Sequence, residues 1–366
     1  MTQDELHAFL TLQRIPNLGD TSIKRLISRF DSAEQVLRQK KETLLKIDGI
    51  GEFRLKAFFD KTHRLEAEEE LKFIEANGIS YCSFLDADYP QRLKHCVDGP
   101  ILLFKRGSAG YENPRTLSIV GTRKVTTHGQ QFIRKFIEEL VPLKPLIVSG
   151  FAYGVDIAAH TAALDNELET LAVLAHGLNQ LYPKIHAKYQ KAVERQGAFI
   201  TDFWSSDAFD RTNFLRRNRI IAGLAEATLV VESAEKGGSL VTAEIANSYN
   251  RDVFAVPGRP EDIQSVGCNN LIKTQKAQLI TSAADLVYHL NWQPEEVFKP
   301  VQKQLFVELT EEEKIIWRLL SANGREQLDL IALNCGLPTF KTASLLLNME
   351  LKGVVRPLPG KLFELT

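Results

Sequence analysis

The sequence predicts an α/β protein: a doubly wound parallel sheet, preceded by a small helical domain and followed by a winged helix. Three observations carry this. From Thr116 onward, apolar runs alternate with amphipathic segments, the texture of parallel strands joined by crossover helices. Before that, residues 2–77 show apolar spacings of three and four, punctuated by Gly19, Gly49, Gly51 and Gly78, which is a helical pattern. Beyond Leu305 the chain reads as three helices and a strand pair. A length of 366 residues accommodates about two to three domains, and 44% hydrophobic with 25% charged residues is an ordinary globular composition.

The helical domain, residues 1–78, contains Ile15-Pro16-Asn17-Leu18-Gly19 and, 32 residues later at the final glycine, Ile47-Asp48-Gly49-Ile50-Gly51, each followed by an amphipathic stretch. Both fit a helix-hairpin-helix, in which glycines let the backbone approach a phosphate and helix-start N–H groups donate to it. A glycine turn between two packed helices with no ligand fits equally. Residues 79–290 form the α/β domain, beginning with a strand-bearing bridge, 79–115, that holds the runs ISYCSFL and ILLFKRG. The runs LSIVG, LIVSG, TLAVLAHG, AFITDF, ATLVVES, RDVFAVPG and QLITS then read as parallel strands, continuously apolar because both faces of such a sheet are covered. A linker, 291–304, carries Pro294 and Pro300 without periodicity. The winged helix, 305–366, has a capping box at Thr310 and Glu313, a break at Gly336-Leu337-Pro338 and a hairpin around Pro359-Gly360. Such a module contacts duplex DNA in many proteins and other proteins in the rest.

Net charge is −1, so an anionic partner must be gripped by a local basic patch. Cys82, Cys96, Cys268 and Cys335 form no CxxC pair, which predicts neither a metal site nor a secreted disulfide framework and fits a reducing cytoplasm. The N-terminus lacks an apolar signal, and the longest apolar stretch is interrupted by Glu226, so neither export nor a membrane partner is expected. With no GxGxxG and no Gly-Lys-Ser/Thr, neither a dinucleotide enzyme nor a P-loop ATPase is expected, and no cofactor.

Three glycine-bearing segments stand where strands pass into helices: Gly121-Thr122-Arg123, Ser149-Gly150-Phe151-Ala152-Tyr153-Gly154 and Gly237-Gly238-Ser239. Strand C-termini of a parallel sheet share one edge, so these loops converge there and offer helix N–H groups to an anion. Arg123, Lys184, Arg211, Arg216, Arg217 and Arg219 supply cations around that edge, and a row of donors suits a polynucleotide better than a single phosphate. Phe151, Tyr153, Tyr182 and Phe214 offer stacking faces to unpaired bases. The alternative places Phe214 in the core and pairs Arg217 or Arg219 with Asp202, Asp207 or Glu232. Catalytic residues are not expected. Asp156 and His160 share a helix face without a nucleophile or metal partner, Asp156 reads as a brace for its helix, and His176 as a core or edge histidine.

Ser118-Ile119-Val120-Gly121-Thr122-Arg123, the Ser149 to Asp156 run with Ala159-His160, the run from Asn213 through Phe214, Arg216, Arg217 and Asn218 to Leu224, and Gly238-Ser239-Leu240-Val241-Thr242-Ala243 together closely resemble the DprA/Smf (DNA-processing protein A) family. The resemblance implies a SAM-like helical domain, an extended Rossmann-like domain and a winged helix. It also implies a non-catalytic protein that binds single-stranded DNA, protects incoming strands in natural transformation and loads a RecA-type recombinase onto them. Delivery to such a filament-forming partner favours a homodimer, expected through the Rossmann-like domain, whose two grooves hold one strand at higher effective concentration than either alone. The family's phosphate-contacting arginine falls on Arg123 and its groove lysine on Lys184. The chain departs from the family pattern at Tyr153, where many members have Arg, at His186, where Asn is common, and at Asp202-Phe203-Trp204. The runner-up is a nucleotide phosphoribohydrolase of the lysine-decarboxylase-like group, loosely echoed by Lys236-Gly237-Gly238-Ser239 with Glu244.

Overall fold

The computed structural model describes residues 1–111, 113–292, 309–358 and 361–365. The chain forms two compact units, Met1–Pro294 and Glu295–Thr366. Most of the expected linker (residues 293–304) and the expected hairpin turn at Pro359-Gly360 lie outside the described residues.

The larger unit is built on nine strands: β1 Ser80–Ser83, β2 Leu102–Gly107, β3 Thr116–Val120, β4 Leu146–Ser149, β5 Thr170–Val173, β6 Gly197–Thr201, β7 Ala227–Val230, β8 Asp252–Ala255 and β9 Gln278–Leu279. Their order is β1-β2-β6-β5-β4-β3-β7-β8-β9. The seven from β3 to β9 run parallel, and the bridge strands β1 and β2 join β6 antiparallel at one edge. The apolar runs therefore became the expected strands. Along β3, Leu117 and Ile119 pack with Ile133 and Phe136 of the helix Thr127–Leu140, while Val120 packs with Ile220 and Ile221 of the helix Thr212–Leu224. Alternate residues thus feed two opposite cores, which is why every residue of the strand is buried.

Strand order reverses at β3. The chain steps from β3 through β4 and β5 to β6, then returns to place β7 on the other side of β3. The loops after β3 and β7 consequently diverge to opposite faces and leave a crevice at their C-terminal ends.

The helices Gln3–Arg14, Asp20–Phe30 and Thr62–Ala76 precede the sheet. The expected boundary at residue 78 separates elements but not cores: Leu6, Phe9, Leu26 and Ile27 share one hydrophobic cluster with Phe104, Phe199 and Trp204. The Trp204 indole N–H donates to Gln13 Oε1 at 2.7 Å, and the Arg14 guanidinium lies 5.0 Å from the Trp204 ring centroid. Buried Arg219 binds Asp202 at 2.6 Å and Asp20, the first residue of the helix Asp20–Phe30, at 3.0 Å. The helix expected after the second hairpin is shorter than its apolar spacing suggested, Glu52–Leu55. From Lys56 the chain runs in turns that bring Phe58 into the core beside Leu55.

The smaller unit has helices Glu311–Asn323, Leu328–Cys335 and Thr339–Leu351 with strands β10 Glu326–Gln327, β11 Val355–Leu358 and β12 Leu362–Leu365 in the order β10-β12-β11. The Thr310–Glu313 capping box is formed, and Gly336 ends its helix at φ 64°. Ile316, Leu320, Ile331, Leu346 and Met349 make a core of its own. A fragment ending at Pro294 should therefore unfold cooperatively at the denaturant midpoint of its transition in the full chain. A broad, non-cooperative transition would contradict that boundary.

The four cysteines are free. Among the described residues, no single helix is long and apolar enough to cross a membrane, and no cluster of His, Cys, Asp or Glu could hold a metal ion.

Candidate functional site

The crevice at the strand reversal is a cavity of about 570 Å³. Its walls are the loop after β3 (Gly121, Thr122, Arg123), Ala152 after β4, the helix Thr212–Leu224 (Phe214, Arg217, Asn218) and the start of the helix Gly238–Ser248 (Gly238, Ser239). Nine of the fifteen residues expected from the sequence thus meet here. Tyr182, Phe209, Arg211 and Lys236 join them. Four cations, Arg123, Arg211, Arg217 and Lys236, line the cavity against one carboxylate, Asp156. Arg123, Arg211 and Lys236 are exposed, and among the described residues none has a carboxylate within ion-pair distance. A larger cavity, about 1210 Å³, lies between the loops after β7 and β8, but Glu232, Glu261 and Asp262 line it against Arg259 and His128. Charge, not volume, makes the smaller cavity the candidate anion site.

The loops fit together because specific atoms are missing. A Cβ on Gly154, at φ 80°, would stand 2.2 Å from the Thr122 carbonyl oxygen, so only glycine lets the β4 loop lie against the β3 loop. A Cβ on Gly150 would stand 2.3 Å from the Arg217 guanidinium, whose Nη1 donates to the Gly150 carbonyl at 2.6 Å. The helix Gly238–Ser248 starts without a side-chain cap, and Gly238 and Ser239 of its first turn line the cavity, where a helix start offers N–H donors to an anion. Asn218 reaches the same turn, donating to the Gly238 carbonyl at 3.2 Å.

Aromatic rings stand beside the cations. Tyr182 and Phe209 lie 4.8 Å apart between centroids, Phe209 and Phe214 5.6 Å, and the Arg123 guanidinium is 5.1 Å from the Phe214 centroid. Tyr182 and Phe209 are 39% and 44% exposed, enough to offer a face to a flat ligand. Phe209 follows β6 in an irregular loop, and no pattern in the sequence singled it out. Its nearness to the arginine run was the only signal.

Six expected residues do not line this cavity. Ser149, Gly150 and Phe151 are buried beneath it. The Ser149 hydroxyl donates to the Ile119 carbonyl at 2.6 Å. Phe151 corrects the stacking expectation: at φ 59° its ring turns inward, fully buried against Phe199, His160 and His186. No base can reach it. Asn213 is buried and donates to the Ala208 carbonyl at 3.3 Å. Arg216 points to another depression, near the first hairpin, where its guanidinium lies 5.1 Å from the Phe203 ring centroid. That depression also presents Asp20, Asp202 and Asp207. Lys184 is exposed two residues beyond Tyr182, outside the lining residues.

Asp156, expected to brace its helix, instead ties down the loop before it, accepting the Ala152 N–H at 3.3 Å. Burial pushes its carboxyl above the usual range, opposed by the Arg217 charge. Burial also pulls Arg217 down to about 10, with Asp156 holding it up, so the Arg217 guanidinium keeps its charge at neutral pH. His186 is buried, its Nδ1 3.1 Å from the Phe151 carbonyl oxygen. His176, buried and beside the Gly177 carbonyl, is the core histidine expected. Glu244 is exposed, pairs with Lys276 at 3.1 Å and does not line the cavity.

His160 is buried with Nδ1 2.7 Å from Thr170 Oγ1, and burial pushes its imidazole down to about 3. An unfolded chain takes up that proton near the ordinary value of 6.5. Its stability contribution is therefore complete above that pH and is lost as pH falls from 6.5 toward 3, by up to about 1.4 kcal/mol per pH unit. The His160 ring resonance should accordingly show no titration down to about pH 4. A midpoint near 6.5 would contradict this burial.

Comparison with known proteins follows the same division of the chain. The sequence pattern of the family described as DNA recombination-mediator protein A matches residues 80–291, and that of the DprA winged helix domain matches residues 303–361. Protein Smf of Escherichia coli is 35% identical over 283 residues, 74% of each chain. The crystal structure of DNA processing protein A from Streptococcus pneumoniae superposes with a TM-score of 0.66 at 29% identity, covering 79% of this chain and 98% of that one. DNA processing protein A from Helicobacter pylori, whose structure addresses its single-stranded DNA binding mode, gives a TM-score of 0.53 at 25% identity, covering 59% of this chain and 97% of that one.

Proposed function

This chain belongs to the DNA recombination-mediator protein A family, the DprA/Smf proteins, and from that premise we propose that it is a non-catalytic single-stranded DNA-binding protein that protects incoming strands in natural transformation and loads a RecA-type recombinase onto them. The observation that carries the reading is the cavity at the strand reversal, where four cations face one carboxylate beside the rings of Tyr182, Phe209 and Phe214. Cations neutralise successive phosphates, and exposed rings accept the faces of unpaired bases. A paired base cannot lie on those rings, so single strands are preferred to duplex. Sequence preference is slight, because phosphate and π-face contacts carry little base information. A homodimer through the Rossmann-like domain would place two such grooves on one strand and raise the effective concentration of each. The hydrolase alternative needs Glu244 at the reacting centre, whereas that side chain stands outside the cavity beside Lys276.

Two measurements test the proposal together. Affinity for a single strand should exceed that for a duplex of equal length, and the protein should stimulate recombinase filament assembly on strands precoated with single-strand-binding protein. Equal affinities would remove the stacking argument. Absence of stimulation with a cognate recombinase would leave a binding protein only, and base release from nucleoside monophosphates abolished by Glu244→Gln would favour the hydrolase.

A further inference from the structure

We propose that a bound strand does not end in the cavity at the strand reversal but continues over Arg123 into a second subsite, where Lys124, Arg134 and Tyr153 hold its next phosphates and a base. The inference rests on the single-strand reading of the first cavity. A groove of about 360 Å³ runs between the helices Thr127–Leu140 and Val155–Asp165, and Arg123 lines both it and the first cavity. The two hollows thus share a wall made by one cation. Lys124 and Arg134 also line the groove, both are exposed, and among the described residues neither has a carboxylate within ion-pair distance. Asp165 is the single carboxylate in the lining.

The helix Val155–Asp165 lines the groove with the small side chains of Ala158, Thr161 and Ala162 beside Ile157 and Asp165. Its mouth carries Tyr153, 43% exposed, with its ring held edge-on by His186 at a centroid distance of 5.1 Å. A tyrosine fixed in this way offers a flat face at little further entropic cost. Lys124 sits before the helix Thr127–Leu140 and Arg134 lies within it, about two turns from its start. Cations spaced apart with a ring nearby match a chain of separated phosphates and bases rather than one compact anion.

The test compares oligothymidylates of about 4 and about 16 nucleotides, the range of single-strand site sizes, bound to the full-length protein by competition. The exposed pair Lys124→Gln/Arg134→Gln should leave the short oligomer within about twofold of the parent while weakening the long one roughly tenfold and lowering its salt slope by about 1.4, as two lost phosphate contacts require. Tyr153→Ala should weaken the long oligomer with its slope unchanged, and Tyr153→Trp should restore it. Parent-like affinity for both lengths in all these variants would overturn the second subsite while leaving the first intact, as would equal losses at both lengths. Failure of the parent protein to bind any single strand would instead overturn the reading on which the subsite rests.

Discussion

Arg219→Ala should destabilise the larger unit by about 3–5 kcal/mol, the usual cost of removing one partner from a buried charge cluster. Its guanidinium bridges Asp202 at 2.6 Å and Asp20 at 3.0 Å, with the three side chains 10%, 4% and 19% exposed. Burial works to lower the Arg219 pKa, and Asp202 and Asp20 together raise it above its ordinary value. Burial pushes the Asp20 carboxyl up, and Arg219 pulls it back down. Without the arginine, two carboxylates face each other in a low-dielectric setting, and Asp20 keeps only the Ile101 N–H, at 3.2 Å, to fasten its helix beside the sheet. The urea midpoint at neutral pH should drop accordingly with little change in m-value. The deficit should shrink as pH falls, because Asp20, whose carboxyl burial pushes up, takes up a proton and then needs no counter-charge. Adding Asp20→Asn and Asp202→Asn to the variant should recover part of the loss. A loss below about 1 kcal/mol, in the range of an exposed pair, would contradict the buried role.

That arginine shows where reading the chain succeeds and where it stops. Arg216, Arg217 and Arg219 are neighbours in sequence, but a helix turns by about 100° per residue, so they leave it in different directions. Arg217 goes under the Gly150 carbonyl, Arg216 over the Phe203 ring and Arg219 to Asp20 and Asp202. A charge cluster in a helical sequence is therefore three separate environments in space. Phe151 was misread for a related reason: a left-handed φ at the loop turns its ring into the core, and sequence alone gives no sign of that φ in a non-glycine residue. The strands were legible because burial on both faces leaves continuous apolar runs such as Leu146-Ile147-Val148. The convergence of the glycine loops was legible because a parallel sheet aligns its strand ends. The core shared by Leu6 and Phe9 with Phe199 and Trp204 was not, since it joins residues distant in the chain. Phe209 lies in an aperiodic loop, where no spacing marks a side chain for a site.

Arg123 should carry the largest single share of strand binding. It stands exposed in the loop after β3, borders both hollows, lies 5.1 Å from the Phe214 ring centroid and has no ion-pair partner among the described residues. Its side chain is exposed and makes no ion pair among the described residues, so Arg123→Glu should leave the unfolding midpoint close to that of the parent. Its effect belongs to binding, where reversing a phosphate-facing charge should weaken single-strand affinity by more than roughly tenfold at moderate salt. Lys236, exposed beside the uncapped helix start at Gly238, faces the same cavity. The most direct measurement is therefore the slope of log affinity against log salt concentration for a single strand, in the parent and in Arg123→Gln/Lys236→Gln. Loss of two phosphate contacts predicts a slope shallower by about 1.4 with folding intact; an unchanged slope in a folded, binding-competent variant would mean that the strand does not lie in this cavity.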